Sequence, residues 1–88
     1  MKQIKTKSGF EVEIDERFLD DMEFVDVLAE AKDNDPLAIS KVCKMMFGDA
    51  NKKKLYDHVR KDGRVPIEAV SAEIIEIFQT LGDKGKNS

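Results

Sequence analysis

The sequence predicts a small α+β domain that is mostly helical, with an N-terminal β-hairpin followed by about four α-helices. Three observations carry this prediction. The first 14 residues alternate with period two, most of the remaining apolar residues recur at helical spacing, and 88 residues suffice for one core. Charged residues make up 38% of the chain, above the roughly 25% of an average domain, which is typical of a small helical protein with charged side chains outside.

The hairpin is predicted over residues 2–14. Strands are expected at residues 2–7 and 10–14, because the dipeptide Ser8-Gly9 separates two alternating runs. One face carries the apolar side chains Phe10, Val12 and Ile14. Since a lone hairpin is marginal in water, this face should pack on the helices. Residues 15–19 are expected to form a short turn that brings Phe18 and Leu19 to the core.

Caps and stops divide the rest of the chain into four predicted helices, over about 21–32, 36–47, 50–61 and 66–81. Asp20 and Glu23 have capping-box spacing before the first helix. Asp35 can cap the second helix, with Pro36 at its first position. The expected stops are Gly48, Asp62-Gly63 and Gly82. The domain therefore spans residues 1–82, and the polar tail, residues 83–88, is predicted to be disordered.

The first two helices carry wider apolar faces than one contact requires. Their apolar arcs cover about 220° and about 200°, whereas a surface helix needs about 100°. Either both helices are central in the fold, or part of each face meets a partner. Met45 lies off the centre of the second arc and is a candidate partner contact. Ile75 lies about a quarter turn off the apolar face of the last helix and would suit a contact between subunits.

Charge is strongly segregated along the chain. Residues 11–35 contain eleven acidic and two basic residues, and residues 50–64 contain six basic and two acidic ones. These halves can attract each other within one molecule or between copies. The basic third helix is either a solvated face or a surface for phosphates or an acidic partner. We hypothesise a head-to-tail contact in which acidic residues of one copy meet basic residues of the next: Asp21, Asp26 and Glu30 with Lys53, Lys54 and Arg60.

The sequence contains no pattern that predicts catalysis, a metal or a cofactor. His58 is the single histidine and is expected at the surface, and Cys43 lies on an apolar helix face and is expected to be buried and inert. Nucleophile–base pairs, metal-ligand clusters and phosphate loops are not recognisable. No apolar run approaches the ~20 residues of a membrane span. The net charge of −3 counts against a dedicated nucleic-acid binder.

Two stretches carry a family resemblance. The first runs from residue 20 to residue 48 and includes Leu-Ala-Glu-Ala and Asp-Pro-Leu-Ala. The second runs from residue 55 to residue 78 and includes Leu-Tyr-Asp-His-Val-Arg and then Asp-Gly-Arg-Val-Pro, the most distinctive element. With the Lys/Thr-rich hairpin, they resemble the tail assembly chaperones of long-tailed phages and prophages of Gram-positive bacteria. The resemblance covers nearly the whole chain.

The resemblance implies a function in tail morphogenesis. Such a chaperone coats the tape measure protein, a long helical chain that sets tail length, and keeps it soluble in the host cytoplasm until tube subunits replace the coat. It is absent from the mature virion. A longer form, made by a backward ribosomal slip, would meet the tail tube protein. The residues Gly85-Lys86-Asn87 are compatible with the codons GGA AAA AAC, which contain a slippery heptamer.

Two alternatives remain open from the residues. A small helical DNA-binding or regulatory protein would use the third helix, with Lys53, Lys54 and Arg60 on phosphates. The acidic total and the thin apolar stripe behind that helix weigh against this alternative. The second alternative is an interaction module that inhibits a host protein, which would be a stable monomer without exposed apolar surface.

Overall fold

The structure is a two-stranded antiparallel hairpin followed by three helices. It is a computed structural model, and it describes residues 2–31 and 35–86. The elements in order are β1 (Lys2–Lys5), β2 (Glu11–Ile14), a short 3₁₀ helix (Glu16–Asp20), α1 (Met22–Ala31), α2 (Pro36–Val59) and α3 (Ile67–Lys86). The predicted hairpin and helical class are confirmed, with three helices rather than about four.

The hairpin turn shortens the predicted strands. Thr6 N–H donates to the Phe10 carbonyl and Gly9 N–H donates to the Thr6 carbonyl, both at 2.9 Å. Gly9 has φ +94°, a conformation that glycine adopts without strain, as expected in a three-residue hairpin loop. The predicted turn at Ser8-Gly9 is therefore confirmed. Because the turn takes up residues 6–10, β1 ends and β2 begins outside it.

The entry to α1 differs from the prediction by one residue. Asp20 belongs to the 3₁₀ helix, and Asp21 is the residue that caps α1. An Asp21 carboxylate oxygen accepts from Glu23 N–H at 2.9 Å. The capping role predicted for Asp20 is wrong because the 3₁₀ helix extends through it. Phe18 is buried as expected, whereas Leu19 is exposed.

The predicted boundary between the second and third helices is a break inside α2. Asp35 accepts from Leu37 N–H at 3.0 Å and Pro36 opens the helix, which confirms the predicted start. Gly48 has φ 73° and ψ 173°, which is not helical. Below, the N-terminal part of α2 means residues 36–47 and its C-terminal part means residues 49–59. The Gly48 break thus separates two stretches of helix that the sequence predicts separately.

A tight two-residue turn connects α2 to α3. Lys61 and Arg64 form a small antiparallel bridge, with N–H to carbonyl distances of 2.7 and 3.0 Å. Asp62 and Gly63 between them have φ values of 53° and 79°, the sign pattern of a hairpin turn. The helix therefore ends at Val59, two residues before the expected end at about residue 61, and the expected stop, Asp62-Gly63, is the turn itself.

The last helix runs past its predicted stop. α3 begins at Ile67 and continues to Lys86. A single glycine inside a helix costs only about 1 kcal/mol relative to alanine, so Gly82 need not end it. The helix thus continues through residues 83–86 of the tail, and residues 87–88 lie outside the described residues.

Aromatic side chains join the elements into one core. Phe10 at the hairpin turn meets Phe47 of α2 edge to face, with ring centroids 6.3 Å apart. Phe18 and Phe24 lie 4.9 Å apart, and both contact Phe78 of α3. The N-terminal part of α2 supplies the largest group of buried side chains, namely Ala38, Ile39, Val42, Cys43, Met46 and Phe47. This part of α2 is therefore central, and its wide apolar arc is used inside the fold.

Candidate functional site: an open apolar groove

An apolar groove of about 460 Å³ lies between α1, the N-terminal part of α2 and α3. Three of its lining residues, Ile39, Val42 and Ile74, are buried members of the core. Side chains of the two flanking helices form the walls, among them Val25, Ala29, Ile75 and Phe78. The groove opens to solvent between the three helices, which leaves room for a further element.

Apolar wall residues of the groove are exposed. Val25 is 43% exposed and Ile75 is 56% exposed. On α1, Phe24 is the one fully buried residue, and Met22 at its start is 70% exposed. The wide apolar arc of α1 thus has a different explanation from that of α2. α1 packs on the core through one side and leaves the other uncovered among the described residues.

Carboxylates border the mouth of the groove. Helical spacing places Asp26 next to Ala29 on α1 and Glu68 two turns before Ile75 on α3. Both carboxylates are exposed, as is Glu30 one turn beyond Asp26. The charged side chains that this spacing sets beside the groove on the described helices are therefore acidic.

One polar atom lies within the apolar lining. Ser71 of α3 is a lining residue, and its hydroxyl oxygen is buried with no hydrogen-bond partner among the described residues. A buried polar group without a partner costs about 1–3 kcal/mol. The rest of the lining is hydrocarbon, so the groove offers little that would select for particular polar groups.

The residues predicted as partner contacts are divided among three places. Ile75 lines the groove and is exposed. Met45 is half-buried and lines a separate, more polar cleft together with Asp21, Asp15 and Glu13. Met45 and Ile75 therefore do not form one surface, although both follow from the same analysis of apolar faces.

The predicted basic surface lies on the C-terminal part of α2. Lys53 Nζ is 3.0 Å from one oxygen of Asp57, and Arg60 Nη2 is 3.1 Å from the other. Both hydrogen bonds lower the pKa of Asp57, and the one from Lys53 has the larger effect. Lys54 is exposed beside them, and the fully buried Leu55 anchors this part of the helix. Two of the three predicted cations therefore already bond a carboxylate on their own helix.

A polar cluster at the hairpin turn was not predicted. Thr6 Oγ1 donates to Glu73 Oε1 at 2.7 Å, and Ser8 Oγ donates to Glu73 Oε2 at 3.0 Å. Ser8 Oγ also lies 3.0 Å from His58 Nε2. Sequence reasoning missed the cluster because it joins the hairpin turn to His58 and Glu73, which are 50 or more residues away in the sequence. The available signal was Glu73 itself, which helical spacing places one turn before the buried Ile77.

The next features to consider are the single cysteine, possible metal ligands and possible membrane spans. Cys43 is fully buried, as predicted, and burial raises the pKa of its thiol to about 11. Among the residues that the structure describes, no three or more His, Cys, Asp or Glu side chains are grouped so that they could hold a metal ion. In the same residues, no helix combines the length and the apolar character needed to cross a membrane.

The fold and the groove define a small, mostly helical domain with an open apolar face between its helices. Comparisons with family models, with curated proteins and with solved structures give no match for the chain.

Proposed function

We propose that the protein is a non-catalytic tail assembly chaperone that binds the tape measure protein and keeps it soluble during phage tail morphogenesis. The observation that carries the proposal is the open groove, in which Val25 and Ile75 stay exposed between three helices. Laying an apolar helix face into such a groove is a recurrent mode of peptide recognition. The resemblance to tail assembly chaperones supplies the identity of the client.

The groove suits a long client with many similar segments. Its lining is apolar apart from Ser71, so binding depends on shape and buried area more than on particular polar groups. A chaperone that coats a long helical chain needs this kind of modest specificity. Met45, on its separate cleft, is a second candidate contact because methionine adapts to irregular partners.

A coat also requires contacts between copies. We propose that these contacts are head to tail, with the acidic residues of one copy meeting the basic residues of the next: Asp21, Asp26 and Glu30 with Lys53, Lys54 and Arg60. The bonds of Lys53 and Arg60 to Asp57 are exposed, and exposed ion pairs stabilise a fold little, so they can exchange for contacts with a neighbour. Repeated head-to-tail contacts generate rings or open helices.

Light scattering tests the contact between copies. Assemblies should shrink as salt rises, and they should also shrink in the double variant Lys53→Glu/Lys54→Glu. Assembly size that is unchanged under both conditions would refute the head-to-tail contact.

Three further parts of the proposal follow from the resemblance. The protein acts in the cytoplasm of a bacterial host and does not enter the mature virion. A longer form from a ribosomal frameshift near Gly85-Lys86-Asn87 would bring the coat to the tail tube protein. Sequencing the gene tests this part, since a different codon triplet there and no overlapping downstream frame would remove the longer form.

Co-expression with the tape measure protein of the same phage tests the main proposal. The client should become soluble only with this chain and should elute with many copies of it in a tagged pull-down. Ile75→Glu should abolish the effect, because it places a charge in the groove wall. The matched control is Leu37→Glu, since Leu37 is 76% exposed and lies outside the groove lining.

Failure of the co-expression test would favour the alternative in which the C-terminal part of α2 binds DNA. If the client stays insoluble and the chain elutes alone as a small monomer, the chaperone proposal is wrong. DNA binding in low salt through Lys53, Lys54 and Arg60 would then be measured next.

A further inference from the structure

We propose that the groove selects an amphipathic helix whose apolar stripe is flanked by Lys or Arg side chains. This inference rests on the proposed function and specifies the class of client segment that the groove takes. Three observations support it. They are the length of the groove, the acidic side chains beside its mouth, and the lack, within the described residues, of a helix of this chain that combines an exposed apolar stripe with basic flanks.

The length of the groove fixes the length of the contact. Its lining extends over residues 25–31 of α1 and 71–78 of α3. At 1.5 Å per residue, this is roughly 10–12 Å, or about two turns of a bound helix. An apolar stripe at spacing i, i+3, i+4 and i+7 fills this length. The contact is therefore short, and a long client offers many such segments.

The charge at the mouth selects the flanks of the bound helix. Helical spacing sets the exposed Asp26 beside the α1 wall and the exposed Glu68 one turn before Ser71 on the α3 wall, and Glu30 lies one turn beyond Asp26. Lys and Arg can lay their hydrocarbon stems on apolar wall residues and still reach these carboxylates with their charged ends. A helix with acidic flanks would place like charges next to each other at both walls.

A second copy of the chain does not supply such a helix. In the described residues, the strongly basic helical stretch is the C-terminal part of α2. Its apolar residue Leu55 is fully buried, and Tyr56 and Val59 pack against the same core. α1, which does expose apolar side chains, carries acidic flanks itself. The occupant that fits is therefore a helix of a different protein.

Binding of labelled synthetic peptides to the full-length protein tests the inference. Three peptides of about 18 residues, long enough to populate a helix, are compared by fluorescence anisotropy. The first has the apolar stripe with Lys flanks, the second the same stripe with Glu flanks, and the third Lys flanks with a shuffled stripe. The first should bind at least about tenfold more tightly than either of the others in low salt, and its advantage over the second should narrow as salt rises.

Variants of the protein locate the binding. Ile75→Glu should weaken the Lys-flanked peptide at least about tenfold, and Leu37→Glu should leave its affinity unchanged. The double variant Asp26→Lys/Glu68→Lys should reverse the preference in favour of the Glu-flanked peptide. All four substituted side chains are at exposed positions, so the core is not altered. Equal affinity for Lys-flanked and Glu-flanked peptides, or full affinity in Ile75→Glu, would overturn the inference.

The peptide assay and the co-expression assay can fail independently. If the tape measure protein is solubilised but the peptides show no preference for basic flanks, the inference is wrong and the chaperone proposal stands. If the Lys-flanked peptide binds through Ile75 but the tape measure protein stays insoluble, the inference holds and the chaperone proposal is wrong.

Discussion

Glu73 is a buried carboxylate that fastens the hairpin turn to α3, and its removal should destabilise the protein measurably. The residue is only 7% exposed, and each of its oxygens accepts from a hydroxyl, that of Thr6 at 2.7 Å and that of Ser8 at 3.0 Å. Hydrogen bonds to a charged group contribute about 1.5–3 kcal/mol each. Thr6 keeps two other bonds, to Ser8 and to Phe10 N–H, so the loss is smaller than a simple sum.

For Glu73→Ala we expect a loss of about 2–3 kcal/mol in the free energy of unfolding. The whole domain is expected to have only about 4–13 kcal/mol, so this is a large share. Glu73→Gln should cost less than about 1 kcal/mol, because its carbonyl can accept from Thr6 while its amide donates to Ser8. Urea unfolding followed by circular dichroism measures both, and the melting temperature of Glu73→Ala should fall by about 10–20 °C.

The exposed Gln79→Ala on the same helix is the control, and its effect should stay within about 0.5 kcal/mol. A double-mutant cycle of Glu73→Ala with Thr6→Val measures how much of the lost free energy of unfolding comes from the bond to the Thr6 hydroxyl. We expect a coupling energy of about 0.5–3 kcal/mol. If Glu73→Ala costs no more than Gln79→Ala, or if Glu73→Gln is as damaging as Glu73→Ala, the cluster does not stabilise the fold in the way argued.

Three further predictions concern other positions. Gly48→Ala should cost about 1–3 kcal/mol in chemical unfolding, because φ 73° with ψ 173° strains any L-residue although nothing lies within 4 Å of the added carbon; an unchanged midpoint would mean that the break is not required. Ser71→Ala should raise the thermal midpoint or leave it unchanged, since it removes a buried hydroxyl that has no partner within residues 2–31 and 35–86, and a clear drop would reveal a bond at that oxygen. Cys43 should react with a thiol reagent at pH 8 only on unfolding, because burial shields the thiol and raises its pKa to about 11. Since the folded-state pKa lies above the unfolded value, the free energy of unfolding should fall as pH rises from about 9 towards 11. Rapid labelling of the native protein would contradict the burial, and Cys43→Ala should flatten the alkaline loss.

Local chemistry explains which parts of the fold the sequence predicts well. Asp35 and Pro36 fix the start of α2 through a capping bond and a preset φ, both of which act within a few residues. Gly48 and Ser8-Gly9 mark a break and a turn for the same reason. Gly82 fails as a stop because a glycine permits a helix end without imposing one, and the preceding apolar face continues to favour helix.

The site depends on non-local information and was predicted only in pieces. The width of the apolar arcs on the first two helices measures how much apolar surface each carries. The arc width does not show which helix is packed against other elements on both sides. The burial of Val42 and the exposure of Val25 therefore follow only from the assembled fold. Ile75 was found because it lies off its own helix face. The acidic partner of the hairpin, Glu73, was missed because no local pattern connects it with Thr6.

The bonds between the hairpin turn and α3 have a consequence for the order of folding. Thr6 and Glu73 are 67 residues apart, and Lys7 N–H donates to Glu76 at 2.7 Å over 69 residues. Contacts this distant carry a high loop-closure entropy, so we expect the hairpin to dock after α1 and α2 have paired. Substitutions at Thr6 or Glu73 should then accelerate unfolding while leaving the refolding rate nearly unchanged in stopped-flow experiments. The hairpin turn would thus be the last part of the chain to dock, and the strength of its bonds to α3 would govern how fast the native state unfolds.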